Sequence, residues 1–477
     1  MGASTLTPLR LVARLQWTSL LRERRLRLLG LLVLALCALA LLDAALDARR
    51  GDTARRHDTL VEAQVWQAQG EANPHGAAHF GRYVYKPAAP LAALDPGLTD
   101  HLGSTVKLEG HVQNASRFRA TDGGAALARF GGFSPAFALQ VLVPLMIVFA
   151  AFGVFGGERQ RQLAWQEIGA GATAWQLVLG RFIAHATALL LLLAVVGVLA
   201  ALATMPAWSA AHFAALGLML AGYGLYWLAF LGIVLAISAA SSSGRGALTA
   251  GLASWIVAAV LAPMLAPALA EARHPTPTAE AFEAAVTEEV MKGPDGHSPR
   301  DVRFAAFEKA TLAKYGVSHI DELPINYSGL LFEHGEKATS DIYNRHFDRL
   351  YAGYAAQARL ALAGSVVSPL LALRPLSASL ARTDMEAHRH FLAQAERYRY
   401  QTVQALNRDI KLHRKPQVRE YASDVAAITR DIVFTPRPLA LGEVLPRTLA
   451  PFAVLAAWLA GALVLMRLGA RRLEGRA

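Results

Sequence analysis

Cysteine is almost absent: Cys37 is the single one in 477 residues. No internal disulfide is therefore available, and any exported region must hold together by packing and hydrogen bonds. Cys37 itself stands in an apolar run and reads as an inert small hydrophobe rather than a reactive thiol. Charge is also scarce, with 17 % Asp, Glu, Lys and Arg against 54 % hydrophobic residues. A chain this long facing water on all sides carries more. No glycine-rich loop closes on Gly-Lys-Ser or Gly-Lys-Thr, so the chain has no phosphate cradle of its own. Neither a nucleophile elbow nor a His-Glu-Xaa-Xaa-His run occurs. No catalytic residue, bound cofactor or metal set is expected from these absences.

What the chain does have is six long apolar runs, near 28–46, 137–155, 177–203, 213–237, 247–269 and 449–466. Each is long enough, at ~1.5 Å per residue, to cross a hydrocarbon layer of ~30 Å. The first is too long for a signal-peptide core, and no convincing cleavage site follows it, so it reads as an anchoring span. The expected fold is an all-α polytopic membrane protein with six transmembrane helices and two extracytoplasmic insertions. The larger insertion, 271–447, is mostly helical, and the smaller, 47–136, is mixed α/β.

Charge sets the orientation. Arg10, Arg14, Arg22, Arg24, Arg25 and Arg27 oppose only Glu23 before the first span, and Arg467, Arg471, Arg472 and Arg476 oppose only Glu474 after the last. The insertions are near neutral, ten positive against nine negative and twenty-three against twenty-two. The positive-inside rule puts both termini in the cytoplasm and both insertions outside, as an even number of spans requires. The formal charge of +11 is explained by topology and anionic lipid, and nucleic acid is not an expected partner.

Along the chain, residues 1–27 alternate leucine and arginine at helical spacing, the pattern of an interfacial elbow helix rather than a merely basic end of the first span. In the first insertion a helix continues outward and stops near Asn73 and Pro74, followed by strands at 82–86 and 105–112. Pro263 and Pro267 are expected to break or bend the fifth span. In the second insertion, helices are expected at 279–291, 301–315, 337–363 and 384–412, with a plain turn at KGPDGHSP and no clear period over 316–332. The run 361–381 approaches a span in hydropathy but contains Pro369, Arg374 and Pro375. A seventh span would put the basic tail outside, so the run is placed at the outer surface or in the domain core.

Two stretches carry candidate function. Between the second and third runs, 156–176 form a short polar turn whose helix, about 161–171, presents Gln162, Trp165, Gln166 and Glu167, with Glu158 at its start. A packed helix there acts as a lever on both attached spans, with Trp165 as anchor and Glu158 and Glu167 pairing with a partner or with Arg159 and Arg181. The competing reading is an ordinary charged turn. Among the histidines, Glu386, His388 and His390 invite a metal reading, but residues two apart on a helix point away from each other. Asp384 and His388, four apart, are the better-spaced pair and read as structural.

The first stretch resembles the cytoplasmic signature of ABC-2 type transporter permeases. Glu158, Arg159 and Arg161 stand at its start, Glu167, Ile168 and Gly169 in its middle, and Trp175, Gln176, Leu177, Leu179, Gly180 and Arg181 at its end. The run 368–399 is similar to the DUF3526 subgroup of these permeases, with Pro369, Arg374, Leu376, Ser377, Thr383, Asp384, His388, His390 and Phe391 in the motif positions. Ser368 stands where the subgroup has asparagine, and Gln162, Leu163 and Ala164 where the permeases have a Gly-Thr-Leu-type stretch. The resemblance implies a transport subunit, not an enzyme, that couples to a cytoplasmic ABC ATPase dimer which binds ATP and Mg²⁺. It also implies a bacterial inner membrane with periplasmic insertions, a second permease, self or related, a lipid environment and a periplasmic partner or cargo. The alternative is a non-transporting membrane scaffold or receptor with a large periplasmic helical domain.

Overall fold

The computed structural model describes residues 6–116, 134–292, 304–415, 418 and 420–475. Among these residues, six helices are long and apolar enough to cross a membrane. α1, Leu6–Arg22, precedes the first of them, and α2 runs from Arg24 to Gln67 over 44 residues. At ~1.5 Å per residue α2 is about 66 Å long, twice a hydrocarbon layer, so its second half continues into the folded regions beyond the bundle. There Trp66 packs against Val403, Leu406 and Val425.

The Asn73–Pro74 pair starts a helix rather than stopping one. Asn73 caps α3, Pro74–Phe80, its side chain accepting from the His75 and Gly76 backbone N–H groups at 2.9 and 3.1 Å. Asparagine at the cap with proline in the first turn favours initiation. Strands β1, Glu71–Ala72, and β5, Ser423–Asp424, pair antiparallel and join the two insertions. β2, Arg82–Tyr85, β3, Thr105–Glu109, and β4, Val112–Gln113, form a small antiparallel sheet in that order, with Tyr83 opposite Lys107. The expected strand at 105–112 is thus a hairpin, turned at Gly110 and His111, where His111 takes φ 62°.

The remaining elements follow in order. α4 is Pro135–Gly156, α5 Glu158–Gly169, α6 Ala174–Ala203, α7 Ala210–Ala240 and α8 Gly244–Arg273. α9, Ala279–Lys292, α10, Ala305–Tyr315, α11, Tyr327–Ala363, α12, Leu370–Ala381, α13, Met385–His413, and α14, Leu441–Glu474, complete the chain. The turn expected at KGPDGHSP lies outside the described residues, as does most of the approach to α4. α11 begins ten residues before the expected 337 because its first turns bury Gly329, Gly335 and Glu336 alongside Leu331, a face too mixed to show a hydrophobic period.

α7 is the central span. Two thirds of its most apolar window is buried (67 %), against 22 % for α2, α8 and α14, whose outer faces are left for lipid or another chain. Val12 of α1, the α4–α6 connection and Ala470 and Leu473 of α14 share one cluster, so both termini gather at one end of the bundle. The insertions occupy the other, here called the domain end.

Prolines in α4 and α8 bend the hydrogen-bond ladder without breaking either helix. Each follows a π-helical turn, Ala138–Leu142 before Pro144 and Val257–Leu261 before Pro263. A proline has no N–H to return to the preceding turn, so carbonyls are freed that need other donors. Neighbouring side chains supply them. Trp227 Nε1 donates to the Leu139 carbonyl at 2.9 Å, the Tyr226 hydroxyl to Gln140 at 3.0 Å and Trp255 Nε1 to Val141 at 3.0 Å. In α8 the Ser368 hydroxyl donates to the Ala258 carbonyl at 2.7 Å.

Candidate functional site

At the terminal end, α5 links α4 to α6. Its inner side is held in three ways. Ala164 is fully buried with Phe155, Ala174 and Leu177, and Ile168 packs on the same cluster. Arg181 of α6 donates from Nη2 to Glu167 Oε2 at 2.8 Å while its guanidinium lies 4.4 Å over the Phe155 ring. Arg161 Nη1 donates to the Ser242 carbonyl in the α7–α8 connection, tying the two loops of this end together. α6 then starts from a reciprocal cap in which Gln176 N donates to Thr173 Oγ1 at 3.2 Å and Thr173 N to Gln176 Oε1 at 2.9 Å.

The outer side carries Arg159, Gln162, Leu163 and Gln166, all exposed, with Glu158 exposed in the first turn. These fall three and four apart, so they form one stripe. Trp165 is half-buried, as is Ile168, and Ala164 is the one fully buried residue of the helix. Glu167 is half-buried and engaged with Arg181 rather than offered to a partner. Leu163, 46 % exposed and part of the departure from the permease pattern, is the apolar member of the stripe.

At the domain end, the run 361–381 neither spans the bundle nor rests on its surface. Gln357 Nε2 donates to the His274 carbonyl just past the end of α8, yet Ser368 reaches Ala258, sixteen residues further back in that helix. That separation is about 24 Å of helix. Trp458 Nε1, midway along α14, donates to the Ser365 carbonyl at 2.7 Å. Arg382 Nε then donates to the Leu439 carbonyl at 2.6 Å, ahead of α14, so the chain has come back out. α12 is the returning limb, a wedge between α7 and α14. Gly222 of α7 admits it, since a Cβ there would lie 2.6 Å from Leu376 Cδ2. Pro369 caps the limb at its deep end.

The motif residues tie this wedge to three other elements through one hydrogen-bonded chain. Arg374 Nε donates to Gln140 Oε1 at 3.3 Å, Gln140 Nε2 to the Tyr223 hydroxyl at 3.0 Å, and that hydroxyl lies 3.1 Å from Ser377 Oγ. Ser377 donates to Asp95 Oδ2, and Gly97 N to Asp95 Oδ1 at 3.0 Å. Every donor points towards Asp95. Burial pushes the Asp95 carboxyl up, and its bonds from Ser377 and Gly97 and the charge of Arg374 oppose that rise. Thr383 accepts Leu98 N on its carbonyl at 2.9 Å, and Gly97, at φ 50°, lies against it.

Asp384 caps α13, accepting Ala387 N at 3.0 Å on one oxygen and Ser379 Oγ at 2.7 Å on the other. His388 is buried, with Nδ1 3.4 Å from Lys86 Nζ and Nε2 3.3 Å from Ser116 Oγ. His390 turns to the Arg437 carbonyl at 3.1 Å, away from His388. Gln140, Tyr223 and Asp95 were not picked from sequence. A glutamine in an apolar run signals the first, but nothing local marks Asp95, whose partner lies 282 residues away.

The domain end is held by α11 and α13, which run antiparallel. Between them Arg399 donates from Nη1 to Glu336 Oε1 at 2.5 Å and from Nε to Glu396 Oε2 at 2.7 Å, with Arg399 and Glu336 almost wholly buried. Burial would raise the Glu336 carboxyl, but the hydrogen bond from His111 and the charge of Arg399 outweigh it and hold it at about 2.

The model of a domain of unknown function, DUF3526, matches residues 279–429, from α9 to just after β5 and so including the wedge and α13. No curated protein and no solved structure matches the chain.

Proposed function

We propose that this chain is the permease subunit of an ATP-driven transporter of the ABC-2 type, with both termini in the cytoplasm and the insertions in the periplasm. The observation that carries this reading is α5: an inner side locked to two spans and a neighbouring loop, and an outer stripe of Arg159, Gln162, Leu163 and Gln166 left exposed. A rigid helix so placed transmits a push on its outer stripe directly to α4 and α6. An ordinary connecting turn has no need of an ion pair, a buried alanine and a bond to a second loop. The chain supplies no phosphate site, so the nucleotide belongs to a separate cytoplasmic ATPase that docks on this stripe.

Pairing with a second permease, identical or related, follows from two features. The outer faces of α2, α8 and α14 are largely uncovered, and Arg374 remains exposed beside Gln140 at a level near the middle of the bundle. An arginine at that depth is costly against lipid and faces a protein interface or a wet path. Purification of the chain from its native membrane is expected to bring an ABC ATPase with it, and Leu163→Glu to abolish the stimulation of that ATPase while insertion stays normal. Purification without any ATPase, or unchanged stimulation in the variant, contradicts the reading.

A further inference from the structure

We propose that His75, His79 and His111 bind a divalent transition-metal ion, Zn²⁺ or Cu²⁺, at the seam between the first insertion and the matched domain. His75 and His79 stand four apart on α3, the spacing that puts two imidazoles on one helix face. Their Nε2 atoms are 3.2 Å apart. His111 reaches the same point from the β3–β4 turn, and one ring nitrogen from each of the three lies within 4.8 Å of the others. Tetrahedral ligands at metal–nitrogen distances of ~2.0–2.1 Å have nitrogens about 3.4 Å apart. The helical pair is already near that spacing, and the bound ion draws in the His111 ring as the third ligand.

The surroundings orient the rings as a metal site requires. Glu336 Oε2 accepts the His111 backbone N–H at 2.9 Å and lies 3.2 Å from its Nδ1, which sets the direction of the ring. Arg399 fixes Glu336 in turn. Asn407 Oδ1 lies 3.5 Å from His75 Nδ1, and the Phe332 ring stacks on His75 with centroids 3.8 Å apart and planes 8° from parallel. A carboxylate behind His111 and an amide behind His75 set the tautomer and strengthen these two ligands. Three imidazoles without a carboxylate ligand suit Zn²⁺ and Cu²⁺ and disfavour Mg²⁺ and Ca²⁺. His79 is exposed, so a fourth position opens to solvent and accepts water or an exchangeable ligand. α3 and the hairpin come from the first insertion, Glu336 and Asn407 from the matched domain, so a bound ion clips the two together.

The test uses the full-length, metal-stripped chain in detergent, free of any polyhistidine tag, titrated with ZnCl₂ by calorimetry and loaded with Cu²⁺ for electron paramagnetic resonance. One equivalent of Zn²⁺ and nitrogen hyperfine structure from three imidazoles are expected. His79→Ala, on an exposed side chain, should keep the fold and weaken Zn²⁺ binding roughly tenfold or more, and Glu336→Gln should weaken it about tenfold. His390→Ala should change nothing. Zn²⁺ affinity in the wild type no greater than in a His75→Ala/His79→Ala double variant would overturn the proposal. So would a Cu²⁺ spectrum unaltered by His79→Ala.

Discussion

Two helices of twelve residues each are inserted next to the spans, and they could hardly differ more. α5 buries Ala164 alone, whereas α12 buries nine of its residues. The arginine–glutamate pairs that serve the two ends differ likewise. Arg399 and Glu336 at the domain end are 2 % and 0 % exposed, while Arg181 and Glu167 at the terminal end are 9 % and 38 % exposed. One helix is a wedge packed largely within the chain, with Arg374 and Pro375 its exposed residues. The other, the proposed lever, has one side held and one side exposed. Burial thus separates a part that keeps the molecule assembled from a part with a side left open for the docking proposed above.

Substitutions should divide along the same line. The largest loss is expected from Arg399→Leu, which leaves the buried Glu336 carboxylate without its guanidinium, about 3–5 kcal/mol by thermal or denaturant unfolding in detergent. The same pair gives the domain end an acid limit. A carboxyl held at about 2 against its ordinary 4.5 contributes stability that is complete above pH 4.5 and drains away as pH falls towards 2. Glu336→Gln should flatten that acid limb of a melting-temperature profile.

Next comes Ser377→Ala, which removes the donor to buried Asp95 and breaks the chain from Arg374; about 1–3 kcal/mol is expected by the same unfolding measurement. Glu167→Gln should cost about 1 kcal/mol or less, since one partner is more than a third exposed, yet loosen the lever and lower ATPase stimulation. Gln166→Ala belongs at the bottom of the stability scale, within about 0.5 kcal/mol, because it touches no packed feature. If Gln166→Ala lowered the melting temperature as much as Ser377→Ala, the division between wedge and lever would fail.

The sequence made the lever more legible than the wedge for a physical reason. Six apolar runs announce spans through length and hydropathy alone, and a polar turn between two of them stands out by contrast. Glu167 and Arg181 are fourteen residues apart, close enough for their pairing to be proposed by eye. α12 offers no such contrast. Its leucines read equally as span, surface helix or core, and what decides is the shape of distant partners: Gly222 making room, Trp458 meeting Ser365, a π turn before Pro263 freeing the Ala258 carbonyl. The histidine triad was hidden for the same reason. His75 and His79 look like an ordinary helix pair until the hairpin turn brings His111 to them, whereas His388 and His390, only two apart in sequence, diverge in space.

The central claim is that α5 faces the cytoplasm and is covered by an ATPase, and one labelling experiment addresses it directly. Cys37 is the natural cysteine to remove, and Cys37→Ala with Gln162→Cys gives a single thiol on the outer stripe. A membrane-impermeant maleimide should label it in inverted vesicles and not in right-side-out ones, and labelling should drop when the ATPase is bound. Labelling from the periplasmic side, or at an unchanged rate with the ATPase present, would contradict the account.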